Sequence, residues 1–454
     1  RHCPLQNCYK KQMQIPKGMT IKNQSVSVAN WTEVREHLDQ MIWEAVFAGN
    51  EPDRLAARRL IIELAKAWGA KPASIQEIYL ARGKGEISGF TVPAINIRGL
   101  TYEVAQAVFR TAASLEAGAF IFELARSEIG YTDQRPSEFS ACVLGAAVKT
   151  GFKGPVFIQG DHYQVSAKKF KSDAEGEIGG IEKLIQESLD WDYGNIDIDA
   201  STIVDLSRPT LEEQQRDNAV VTARLAGFIR SHEKTLPVSI GGEIGEVGKS
   251  NSRPDELEAY MKLLLEADSG KPAISKVSVQ TGTSHGGVVL AGGELAQVKI
   301  SFETLGLLSR LAREKYGMAG AVQHGASTLP EDAFDKFPEV QTAEIHLATG
   351  FQNIMYDHLP AQFKEHLYEK IRRDFASERG LKDTEEQFLY KTRKKMFGPA
   401  KKDWWGLDRS VKEKMMTALQ AKFTLIFQKL KVNKTKALID RRVAAFCLAK
   451  PLIQ

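Results

Sequence analysis

The sequence predicts an α/β fold: a (β/α)8 TIM barrel with N-terminal and C-terminal helical extensions. Three observations carry that prediction. Short β-branched runs alternate with amphipathic helical stretches, about eight such pairs fill roughly 270 residues, and the chain on either side reads as helix alone. With 454 residues, 43% hydrophobic and 26% charged, the composition is that of a globular protein with room for one large domain and appendages.

The elements follow in order. Asn30 stands as N-cap before "WTEVREHLDQMIWEAVF", where Trp31, Val34, Leu38, Ile42 and Val46 keep near-helical spacing, and a second helical stretch stops at Gly69. The rhythm then changes to strand-like runs: "TVPAINI" (91–97), "AFIFEL" (119–124), "PVFIQG" (155–160), "NIDIDA" (195–200), "PVSIGGEI" (237–244), "KVSVQTG" (276–282), "GAVQHG" (320–325) and "AEIHLA" (343–348). An open doubly wound sheet is the competing topology. It usually carries G-x-G-x-x-G after its first strand, and "NIRGLTYE" lacks it. The expected division is an N-terminal helical extension over 1–80, the barrel over 81–360 and a basic helical extension over 361–454.

Charge is small overall and uneven. A formal net charge of +4 does not imply nucleic acid, yet from residue 361 onward 23 Lys and Arg face 11 Asp and Glu. "KTRKKMFGPAKKDWW" (391–405) is the densest part. It reads as a patch for phosphate-rich partners or an acidic subunit, or as solvated helix faces docked on an acidic body. Trp404, Trp405 and "LQAKFTLIFQKL" point to a homo-oligomer contact rather than a catalytic lid. No apolar run approaches the roughly 20 residues that span a bilayer. Cys3, Cys8, Cys142 and Cys447 form neither a disulfide framework nor a zinc knuckle, and a cytoplasmic setting is expected.

A barrel enzyme builds its site where the strands end. After the third run stand Asp161 and His162; in or after the fourth, Asp199 and Ser201. The fifth ends on Glu243, the sixth on His285 and the seventh on His324. Three imidazoles and a carboxylate suit Zn²⁺ or another divalent ion with one position left open for substrate. Glu243 reads equally as a ligand or as a carboxylate orienting a histidine. Glycines flank these positions (Gly282, Gly286, Gly287 and Gly325), and Ser327, Thr328 and Thr349 could donate to a phosphate. Simple turn chemistry explains those residues equally well.

Taken together, residues 87–356 resemble the class II, metal-dependent fructose-bisphosphate and tagatose-bisphosphate aldolases. "FTVPAINIRGLTYEVAQ" is similar to the family's opening F-x-V-P-A-x-N and helix, "QGDHY" to its Asp-His pair and "IDIDAST" to its M-I-D-x-S segment. "GGEIGEVG" resembles its E-L-G stretch, "GTSHGG" its G-T-x-H-G, "VQHGAST" its L-H-G-G-S-G and "EIHLATGFQ" its closing V-N-(V/I)-A-T-E-L. The resemblance implies metal ligation by His162, His285 and His324, with Glu243 and Asp199 around the metal, and an acid/base role for Asp161. It also implies substrate or phosphate contacts from Asn96, Gly286, Gly325, Ser327 and Thr349, and possible help from a monovalent cation. The implied reaction cleaves a phosphorylated ketose, fructose 1,6-bisphosphate first, to dihydroxyacetone phosphate and an aldehyde, with the metal as electron sink. A Schiff-base lysine is disfavoured, because Lys276 starts its run instead of ending it.

There are departures. "EVGKSNS" replaces the usual G-G and acids, so the proton donor to the enediolate is unassigned, with Glu246 a candidate. His346 stands where the family has an asparagine that contacts substrate, "GAST" replaces "GGSG", and the extensions match nothing in the family pattern. Tagatose bisphosphate or another sugar phosphate is the alternative substrate. A non-catalytic barrel subunit that stabilises a partner aldolase is the alternative role.

Overall fold

The computed structural model describes residues 16, 18–22, 25–233, 237–244, 250–267, 273–282 and 300–443. A hairpin opens it, β1 (Met19–Lys22) pairing antiparallel with β2 (Ser25–Val28). Two helices follow, Trp31–Phe47 and Glu51–Trp68. The Asn30 side chain caps the first, accepting from the Thr32 and Glu33 amides. Gly69 ends the second in the left-handed conformation.

Then come β3 (Ala70–Ala73), β4 (Val92–Asn96), β5 (Ile121–Ala125), β6 (Gly154–Gln164), β7 (Asn195–Asp199), β8 (Ser239–Glu243), β9 (Lys276–Val279), β10 (Ala321–Gln323) and β11 (Glu344–Leu347). Strands β4 to β11 pair in parallel, each with the next, and β11 returns to β4. That closes an eight-stranded barrel with helices between the strands, the fold expected from the sequence. The short β3 lies outside the ring, pairing with the first residues of β6. Neither β3 nor the hairpin was expected in a segment read as helical.

The N-terminal helices pack against the barrel helix Pro136–Thr150. Gly145 permits the approach, since a Cβ there would sit 2.7 Å from Ile42 Cδ1. The C-terminal segment runs from the mouth of the barrel to its base. The stretch 393–405 lies against the loop after β4 and the helix Arg126–Thr132. The helix Arg409–Lys429 then packs along Thr101–Ser114, and Thr435 Oγ1 accepts from the Gly118 and Ala119 amides below β5.

One sequence expectation is corrected here. Trp404, Trp405, Leu419, Phe423, Ile426 and Phe427 are buried within the chain. The apolar content read as an oligomer contact is consumed by packing on the barrel, so it no longer argues for subunit pairing. Among the described residues no helix is long and apolar enough to cross a membrane.

Candidate functional site

The site is built at the C-terminal ends of the strands, and its key is an irregularity in β6. Gly160 pairs with Ile196 of β7, but the next pair is Tyr163 with Ile198, so β6 carries one extra residue. His162 takes up the slack with φ of 41°, a left-handed conformation costing a non-glycine residue about 1–3 kcal/mol. Regular alternation would send adjacent side chains to opposite faces. The bulge turns both Asp161 and His162 toward the barrel axis.

There the residues expected from the strand ends converge. His162 Nδ1 lies 3.1 Å from Asp199 Oδ2 and 3.1 Å from Glu243 Oε2. The His162 and His324 ring centroids are 3.9 Å apart, and His324 Nε2 is 3.9 Å from Glu243 Oε2 and 2.9 Å from Ser278 Oγ. Donor atoms of His162, Glu243 and His324 all fall within 4.8 Å of one another. One imidazole N–H cannot satisfy two carboxylates, so this oxygen-rich cluster calls for a cation. The set fits a divalent metal. Burial alone would lower the His162 imidazole, but Glu243 and Asp161 outweigh it and hold its proton affinity well above the ordinary value.

Asp161 is gripped at both oxygens. Asn96 Nδ2 donates to Oδ2 at 2.8 Å, and His346 Nδ1 donates to Oδ1 at 3.0 Å. Burial would raise this carboxyl, yet His162 and His346 overcome it and keep the group well below the usual carboxylate range. His346 is held as an imidazolium: burial opposes the charge, but Glu123 and Asp161 prevail, and Nε2 donates to Glu344 Oε1 at 2.7 Å. His346 therefore props Asp161 from below.

A cavity of about 700 Å³ opens above these groups. Asn96, Asp161, His162, Gly325, Ser327 and Thr349 all line it. Ser327 Oγ accepts from the Gly350 amide at 3.0 Å, and Thr349 Oγ1 accepts from Arg98 at 3.3 Å. Asp199 stands behind His162, further fixed by Gln164 and Ser201. His285 and Gly286 lie outside the described residues, as do Gly287, Glu246 and Lys249. Lys276 is no Schiff-base candidate at the mouth: it is buried in the barrel, its ammonium donating to Gln159, Asp197 and Glu344.

The strand-end test overlooked Arg98 and Glu128, which follow β4 and β5 and bond each other at 2.7 Å. Applying the same test to those two strands would have found Arg98. Tyr390, Lys391 and Lys394, from the C-terminal extension, also line the cavity, and no strand-end pattern points to them.

No curated protein sequence matches the chain. Among solved structures, the fructuronate-tagaturonate epimerase UxaE from Cohnella laeviribosi is similar at a TM-score of 0.58 and 11% identity, over 93% of this chain and 96% of that one. A probable tagatose 6 phosphate kinase from Sinorhizobium meliloti 1021 is similar at 0.52 and 18%, over 80% and 96%. The YdjI aldolase from Escherichia coli K12 follows at 0.48 and 13%, over 80% and 98%. At these identities the likeness is one of fold. Residues 83–426 match the family model of the class-II fructose-bisphosphate aldolases, a span that takes in both the barrel and the extension at its mouth, and the chain belongs to that family.

Proposed function

We propose that this chain is a metal-dependent aldolase that cleaves a carbon–carbon bond of a phosphorylated ketose, with fructose 1,6-bisphosphate the leading substrate and tagatose bisphosphate next. One observation carries the reading: a doubly anchored Asp161 faces the same cavity as the imidazoles of His162 and His324, which share a donor cluster with Glu243. His162, His324 and Glu243 would hold Zn²⁺ or another divalent ion, and His285 would join them. Such an ion, when bound, supplies the electron sink that carbon–carbon cleavage needs.

The chain's own residues account for the rest. Asp161 takes the proton from the hydroxyl on the carbon that becomes the aldehyde. Asn96 and His346 keep its oxygens aimed. Ser327, Thr349 and the backbone at Gly325 face the phosphate end of the ketose. A stabilising subunit without activity would have no use for a strained His162 or for imidazoles gathered on one cavity.

A second reading is a sugar-acid epimerase, favoured by the Cohnella structure's coverage of both extensions. Breaking the same bond, turning the aldehyde and re-forming the bond would invert a carbinol without net cleavage. One experiment separates the two. The purified chain and His324→Ala are analysed for bound metal, then incubated with fructose 1,6-bisphosphate and with fructuronate. Aldehyde release that EDTA and the mutation both abolish establishes the aldolase. Inversion of fructuronate with no aldehyde replaces it with the epimerase, and metal-free, inactive protein overturns both.

A further inference from the structure

The C-terminal extension reaches the cavity through one firmly seated stretch. Tyr356 Oη donates to the Arg393 carbonyl at 2.6 Å, and the Arg393 guanidinium lies 4.3 Å over the Tyr390 ring and 4.9 Å over Tyr356. Four residues on, Phe397 packs so closely on Gly99 that a Cβ there would come within 2.2 Å of its ring. The Gly398 amide donates to the Tyr131 carbonyl at 3.0 Å. Lys394 sits between these anchors, half-buried, with its ammonium 5.7 Å from the centre of the Tyr131 ring. It lines the cavity together with Arg98.

The two cations are differently provided for. Arg98 is paired with Glu128 and donates to Thr349 and Gln352, at the loop that carries the expected phosphate contacts. Lys394 has no carboxylate within 4.0 Å among the described residues. Burial, then repulsion from Arg98, lower the Lys394 ammonium from its ordinary value. A half-buried cation beside another cation, fixed on both flanks and lacking a carboxylate, lacks an anion. The neighbouring Lys395 faces away, tied to Glu378 at 2.5 Å.

We propose that Lys394 and Arg98 together form the anion-holding wall of the substrate cavity, so that the C-terminal extension is part of the substrate site. The group they take is the phosphate or carboxylate of an open-chain sugar derivative. This rests on the reading that the cavity holds the substrate, but not on which bond is broken. It also means that the basic stretch 391–405 acts inside its own chain.

The test uses the full-length, metal-loaded protein with inorganic phosphate and with malonate, followed by calorimetry and thermal melting. The wild type is expected to bind one of the two anions and to melt higher in its presence, and the preferred anion tells a sugar phosphate from a sugar acid. Lys394→Met should weaken that binding by about tenfold or more, while Lys395→Met leaves it unchanged. With a substrate in hand, Lys394→Met should raise KM far more than it lowers kcat. Anion binding unaltered in Lys394→Met, or no anion binding by the wild type, overturns the proposal. If anion binding is lost as expected but no aldehyde is ever released, the wall stands and the aldolase reading falls.

Discussion

Two layers of the barrel use the same kinds of residue to opposite ends. In the lower layer Lys276, 1% exposed, directs its three ammonium hydrogens to three acceptors: Gln159 at 2.8 Å, Asp197 at 2.9 Å and Glu344 at 2.5 Å. Tyr79 donates to the remaining oxygen of Glu344, and Gly241 keeps clear the space that a Cβ would take from Asp197. The ammonium is fully used, Asp197 Oδ1 stays without a hydrogen-bond partner among the described residues, and these groups are buried. In the upper layer two carboxylates compete for one nitrogen of His162, three imidazole rings crowd together, and a cavity lies above them. What separates the layers is access: a charged cluster centred on a buried lysine serves as architecture, while imidazoles and carboxylates that line a cavity make a candidate site. His346 joins the layers, with one ring nitrogen on Glu344 below and the other on Asp161 above.

The comparison can be broken most forcefully from below. Lys276→Met leaves Asp197 and Glu344 buried without their cation, which should cost about 3–5 kcal/mol in denaturant unfolding. The folded fraction should still bind metal; a variant as stable as the wild type would show that the lower layer is not a closed unit. From above, His324→Ala should lower metal affinity by at least the roughly 100-fold that even outer-shell changes can reach, with little change in the melting of metal-free protein. A loss of stability on the scale of Lys276→Met would erase the distinction between the layers. Asp199→Asn, which weakens the hold on His162, should cost about 10–100-fold in metal affinity, read by competition with a chelating dye.

The smallest effect is one of pH. Burial works against the Lys276 ammonium, but Asp197 and Glu344 prevail and raise its pKa above the ordinary 10.5. A raised lysine contributes stability fully below the unfolded value and loses it as pH climbs through the folded one. The stability gap between wild type and Lys276→Met should therefore hold through neutral pH and narrow only above about pH 10.5. A gap that closes between pH 6 and 8 would mean that another group sets the charge of that layer.

Much of the barrel was legible because buried strands and amphipathic helices leave different periods in a sequence. Reading the residue after each run found Asp161, His162, Asp199, Glu243 and His324, because parallel strands deliver their ends to one rim. The proline-bearing "AKPA" of β3 carries no such period, and the hairpin runs "MTIK" and "SVSV" do alternate but over only four residues each, so both were missed. The bulge in β6 was also invisible, since nothing local marks His162 as left-handed. Lys394 was beyond reach for another reason. Its place at the mouth depends on Phe397 meeting Gly99, a contact between residues about 300 positions apart that no local pattern encodes. The same long-range packing hid the Trp404 and Trp405 side chains that were expected at a subunit contact.

The extra residue in β6 makes the reading frame of that strand part of the site. Most substitutions along β6 would leave the side-chain directions as they are. Deleting a single residue between Gly160 and Tyr163 would restore an even ladder with β7, and the fold would tolerate it or even gain from the relieved strain. Only Asp161 and His162 stand between those two residues, so the deletion that evens the ladder removes one member of the pair outright. A shortened chain of that kind would remain a barrel by every measure of folding while losing either the proposed base or a proposed metal ligand.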